Sequence, residues 1–163
     1  MRYIIGDYIC YPMHGAGRIE GIEHRDESGE MYYSLYFYAD NLKIMVPVEK
    51  AESVGMRPVC DEVEAEKVFS MIRCQDCDEE SNWNRRYRAY IDRMRSGKLC
   101  DVAAVLTMLS MRDRQRGVSA GEKKIMKNAR RFITGELSLA GLGSEEEVDA
   151  RLEDALLAAS ERA

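Results

Sequence analysis

The feature that most constrains this chain is a change of hydrophobic period just after Pro58. Before it, residues 8–11, 17–23, 31–38 and 43–47 are rich in β-branched and aromatic side chains, with turn residues between them at 12–17, 26–29 and 39–41. Such side chains suit a pleated, half-buried surface, and Gly, Pro, Asn and Asp supply its reversals. After Pro58 apolar residues recur every three or four positions, the spacing of one helix face. The chain is therefore expected to be α+β, with a small β domain over residues 1–56 and an all-α helical domain over residues 60–163. A fifth short strand near residues 52–54 is expected to close the β domain into a small barrel. Tyr3, Tyr8, Tyr11, Tyr32, Tyr33, Tyr36, Phe37 and Tyr38 crowd this part and supply aromatic area for so small a core.

The helical part carries its own punctuation. Val63, Val68, Met71 and Ile72 fall near one face of a first helix with acids in its opening turn. Asn82 or Ser81 caps a second, which starts at Trp83, runs to about Arg95 and stops at Ser96-Gly97. Asp101 is expected to cap a third, with Val102, Val105, Leu106, Met108 and Leu109 as its stripe. Ser119 with Glu122, and Ser144 with Glu147, are capping boxes that open a fourth and a fifth. Ile125, Ala129, Phe132, Ile133 and Leu137 line the fourth; Val148, Leu152, Leu156 and Leu157 line the fifth. These stripes are expected to share one core.

Several function classes find no support. No apolar run approaches the length needed to span a bilayer, and the N-terminus lacks a signal-peptide core, so a cytoplasmic protein without membrane contact is expected. The five cysteines are odd in number and scattered, which suits reduced thiols. Cys74 and Cys77 have the spacing of half a zinc site, but no second pair follows and His14 and His24 lie far away in sequence. Neither a metal nor another cofactor is expected. His14 has no nucleophile or carboxylate cluster near it, so an enzyme is not expected either. The β domain is better suited to docking, with an exposed strand edge that pairs to another protein's sheet.

Charge points to the partner. The chain is acidic as a whole, with 24 Lys+Arg against 29 Asp+Glu, yet residues 81–131 hold fourteen cationic and four acidic side chains, net +10. Residues 60–80 and 132–163 are each net −6. A surface made only for solubility intersperses its signs. The basic block opens on Asn82-Trp-Asn-Arg-Arg-Tyr-Arg88, which contains the only tryptophan. An amphipathic aromatic at a helix start, with guanidinium groups one turn on, suits a wedge against bases with phosphate clamps behind it. Taken alone, this stretch favours a buried Trp83 with a solvated arginine face, since single aromatics are usually buried. The charge division favours nucleic acid. A second use stays open on the residues alone, an adaptor whose basic helices bind acidic protein or RNA.

The chain resembles the CarD/CdnL family of bacterial transcription regulators. The resemblance is carried by Gly6-Asp-Tyr-Ile-Cys-Tyr-Pro-Met-His-Gly-Ala-Gly17, Val46-Pro-Val48 and Gly55-Met-Arg57 in the β part. In the helical part it is carried by Asn82-Trp-Asn-Arg-Arg-Tyr-Arg88, Arg93-Met-Arg-Ser-Gly97, Arg112-Asp113 and Val118-Ser-Ala-Gly-Glu-Lys123. It implies a Tudor-like N-terminal barrel that binds the RNA polymerase β subunit, and a helical domain that touches promoter DNA at the upstream edge of the bubble. It implies further that the protein is no enzyme. By position, Trp83 would be the wedge at the fork, with Arg85, Arg86 and Arg88 contacting the DNA backbone; Arg88 stands where the family often has lysine. Arg25 matches a basic polymerase-contact position. The other such position, often arginine in the family, is Met45 here. A monomer is expected.

Overall fold

The computed structural model describes residues 2–25, 29–75 and 80–162. The chain divides into two compact units, Met1–Val59 and Cys60–Ala163.

The first unit is an antiparallel sheet of β1 (Tyr8–Tyr11), β2 (Gly15–Arg25), β3 (Glu30–Phe37), β4 (Leu42–Pro47) and β5 (Arg57–Pro58), in the order β4-β3-β2-β1-β5. Alternation decides which face is buried. Tyr33, Leu35 and Phe37 of β3 point one way, and the register sets Leu35 between Ile19 of β2 and Ile44 of β4. With Tyr3, Ile9, Val46, Ala51 and Met56 they make the core of this unit. Gly17 is required at its position, since a Cβ there would lie 2.8 Å from the Phe37 ring and from the Tyr36 carbonyl oxygen.

Two expectations for this unit are corrected. Residues 52–54 form a turn rather than a strand, with the Ser53 hydroxyl donating to the Lys50 carbonyl at 2.8 Å and Gly55 reversing the chain at φ 86°. Glu52, Ser53 and Val54 are exposed, so this segment has no apolar face to lay on a core. The fifth strand comes later, at Arg57–Pro58, and pairs only with β1, so the sheet stays open. Its second residue is a proline, whose missing N–H ends the ladder.

The second unit packs α1 (Glu62–Cys74), α2 (Trp83–Ser96), α3 (Leu99–Arg116), α4 (Ala120–Leu137) and α5 (Glu145–Arg162). Helix α3 is its centre, buried without interruption from Val102 to Thr107 and again at Leu109. Ile72 of α1, Tyr90 of α2, Ile133 of α4 and Leu152 of α5 close around it in one cluster. Both expected capping boxes form, at Ser119 with Glu122 and at Ser144 with Glu147, and Asp61 makes a third with Glu64. Asp101 is not a cap. Helix α3 starts two residues earlier, and the Asp101 carboxylate accepts from the Ser96 hydroxyl at 2.7 Å, tying the α2–α3 turn. Val63 and Leu157 also depart from the expected stripes, being 63% and 41% exposed. Ala65 and Phe69 take up the inward face of α1 instead, because the true 3.6-residue repeat runs through them.

Candidate nucleic-acid interface

Helix α2 begins at a side-chain cap. The Asn82 side-chain oxygen accepts from the Arg85 N–H at 3.1 Å, satisfying one of the donors that a helix start leaves open. Trp83 is the first helical residue, so its side chain leaves from the mouth of the helix. It is 47% exposed, a large value for an indole. Its ring stacks on Tyr87 one turn further on, with centroids 5.1 Å apart and planes 22° from parallel. Tyr87 in turn lies against the first turn of α4. A Cβ on Gly121 would come within 3.2 Å of its Cε2, so the missing side chain is what lets the phenol approach.

The inward face of α2 is marked by Arg86, Tyr90 and Met94 at i, i+4 and i+8. Arg86, expected to clamp DNA with its neighbours, is buried. Its Nε donates to Glu122 Oε1 at 3.0 Å, and its Nη1 donates to the Glu80 carbonyl at 3.1 Å. The second oxygen of Glu122 accepts from the Ser119 N–H at 2.9 Å, while the Ser119 hydroxyl accepts from the Glu122 N–H at 3.2 Å. One carboxylate thus caps α4 and holds α2. Burial would push the Glu122 carboxyl up, but the Ser119 backbone N–H and the Arg86 guanidinium outweigh it and hold it below its ordinary value.

Arg85 and Arg88 lie opposite that inward face, exposed and with no ion-pair partner among the described residues. Other cations of the basic block are already paired. Arg130 donates to Asp149 at 2.6 Å and to Glu153 at 2.9 Å, and Arg114 also pairs with Glu153. Acids of α5 therefore neutralise part of the charge that looked free in the sequence. At the start of α4, Lys123 and Lys124 are exposed.

In the β unit, Met45 sits on the edge strand β4, half-buried and opposite Ser34 of β3. Arg25 is the last residue of β2, with its backbone paired to Glu30. Cys74 is exposed at the end of α1, whereas Cys77 lies outside the described residues. No group of three or more His, Cys, Asp or Glu able to hold a metal occurs among the described residues. No helix among them is long and apolar enough to cross a membrane.

Sequence reasoning overlooked Tyr87 as the support of Trp83 and Glu122 as the partner of Arg86. The first was readable, since residues at i and i+4 of a helix are neighbours. The second joins positions 36 residues apart and left no local signal.

The described residues thus form an open antiparallel sheet followed by a helical unit with an exposed tryptophan at a helix mouth. Residues 3–60 match the CarD-like/TRCF RID domain, a polymerase-interacting type, and residues 67–153 match the CarD C-terminal domain. The chain belongs to the CarD family of bacterial transcription regulators. It is 33% identical, over 137 residues, to the Bacillus subtilis (strain 168) protein named "Putative transcription factor YdeB", a match that covers 83% of this chain and 90% of that one.

Proposed function

We propose that this protein regulates transcription initiation by binding the RNA polymerase β subunit through its β unit and stabilising the open promoter complex through Trp83. The observation that carries the reading is the half-exposed indole at the mouth of α2, with two unpaired guanidinium groups on the same helix. An aromatic inserted beside a base step has most effect where the strands are already parting, because unstacking an intact duplex costs a few kcal/mol per step. Arg85 and Arg88 contact phosphates, which gives position and affinity without sequence preference. Arg86 serves from within, where it holds the helix start in place.

Docking falls to the β unit. Strand β4 is an outer strand of the open sheet, and its unpaired backbone groups offer a template for a strand of the β subunit. Arg25 supplies a cationic contact and Met45 an apolar one. Because the chain is acidic overall, binding to DNA alone is weak, and attachment to polymerase raises the local DNA concentration. Trp83→Ala tests the wedge. It shortens the open-complex lifetime and leaves polymerase binding intact; an unchanged lifetime sinks the wedge role. Arg25→Glu tests docking, with loss of binding to a β-subunit fragment expected in a pull-down.

A further inference from the structure

We infer that Arg86 is the positioning residue of Trp83, fixing the direction in which the indole leaves the helix through its buried pair with Glu122. This rests on the reading of Trp83 as the DNA contact. The geometry forms a closed path. Arg86 Nε holds Glu122 at 3.0 Å and its Nη1 holds the Glu80 carbonyl at 3.1 Å, while Glu80 Oε1 accepts from the Asn82 N–H at 3.0 Å. Asn82 caps the helix through Arg85 N–H, so the residue before Trp83 is tied at its backbone and at its side chain. The same Glu122 is held by Ser119, the cap of α4, whose first turn contains Gly121 and so admits Tyr87, the ring on which the indole rests. Two helix starts are thereby joined at one charge pair, and Trp83 is the first residue of one of them.

The burial is what makes the pair directive. Its two side chains are only 6% and 2% exposed, so neither member can turn to water as a surface pair does. A planar fork also constrains direction where a single ammonium would not. Without Arg86 the Glu80 carbonyl and the approach to Asn82 lose their anchor. Trp83 then keeps its neighbour Tyr87 but samples a wider cone.

Trp83 is the only tryptophan, so its fluorescence reports this one side chain in the full-length protein. Time-resolved anisotropy of Arg86→Met is expected to show the amplitude of fast indole rotation rising about twofold on the nanosecond scale, with helix content unchanged. Arg86→Lys, which reaches one partner at a time, is expected to fall between Arg86→Met and wild type. As a control for general loosening, Arg130→Met breaks two ion pairs between α4 and α5, to Asp149 and Glu153, and leaves Trp83 rotation unchanged. Should Arg86→Met fail to fold, Glu122→Gln keeps an acceptor for the Ser119 cap while removing the charge, and the same rotation is read. Wild-type rotation in a folded Arg86→Met or Glu122→Gln overturns the inference, as does an equal rise in Arg130→Met. Open-complex lifetimes separate this from the wedge reading. If rotation rises in Arg86→Met while Trp83→Ala leaves lifetimes unchanged, the positioning role stands and the wedge fails. If Trp83→Ala shortens them and no Arg86 variant moves the indole, the wedge stands alone.

Discussion

The Trp83 indole and the Tyr87 phenol lie 5.1 Å apart, ring to ring, and 22° from parallel. They are four residues apart on one helix, so the backbone brings them together before any tertiary contact forms. The stack leaves one face of the indole on protein while much of the ring remains open to solvent. Removing Tyr87 therefore frees the tryptophan without unfolding the helix. Tyr87→Ala is expected to destabilise the helical unit by about 1 kcal/mol and to raise acrylamide quenching of Trp83, whereas Tyr87→Phe preserves both. Urea unfolding and a quenching titration check this.

Arg85 and Arg88 differ from Arg86 by where the helix turns them, and their substitutions should differ accordingly. Each phosphate contact on duplex DNA contributes about 0.9 to the slope of log affinity against log salt. Arg85→Ala and Arg88→Ala are each expected to lower that slope by about this amount with the far-ultraviolet circular dichroism unchanged. A slope that does not move removes that arginine from the interface.

The charge pairs predict the acid limit of the helical unit. The Arg130 guanidinium holds Glu153 below the usual carboxylate range, against burial that would raise it. Glu122 is held low although burial opposes it, chiefly by the Ser119 N–H and then by Arg86. A carboxyl depressed in the folded state contributes stability above its unfolded value of 4.5, and that contribution is lost as pH falls through the folded value. The melting temperature is therefore expected to hold steady above pH 5 or so, and to fall below about pH 4.5. Glu122→Gln should melt lower near neutral pH and lose less on acidification. A profile parallel to wild type contradicts the assignment.

In the β unit the sharpest test is a single methyl group. Gly17→Ala sets a Cβ 2.8 Å from the Phe37 ring and from the Tyr36 carbonyl oxygen, neither of which can move without shifting β3. The expected cost is about 1–3 kcal/mol, the range for overpacking a filled core. Denaturant unfolding of the full chain measures it. Gly29, with nothing among the described residues within 4 Å of an added Cβ, meets no such contact there, although its φ of 71° still disfavours a side chain.

Much of this architecture is legible along the chain. The switch from a two-residue to a helical repeat after Pro58 falls between β5, which ends there, and α1, which begins at Glu62. The capping boxes at Ser119 and Ser144 and the left-handed Gly97 mark helix ends because the chemistry involved is local. The same holds for Trp83 at the mouth of α2, where Ser81 and Asn82 both offer a cap and Asn82 makes it. Family motifs reached further than physics did, since they connect stretches that no periodicity relates.

What escaped was set by distance in sequence. Closure of the sheet depends on whether β5 reaches β4, and a two-residue strand ending in Pro58 does not. The net +10 of residues 81–131 is a sum, and it cannot tell that Asp149 and Glu153 fold back on Arg130. Three arginines in four residues read as one cluster in the sequence. The 100° step of the helix turns Arg85 and Arg88 outward and Arg86 inward, and only the fold supplies Glu122 to receive it. The chain by itself determined that a tryptophan stands at a helix start amid positive charge, because capping and composition are local properties. Which of its arginines remain free to meet a phosphate was decided by tertiary structure, because a buried guanidinium must find its carboxylate wherever the fold brings one.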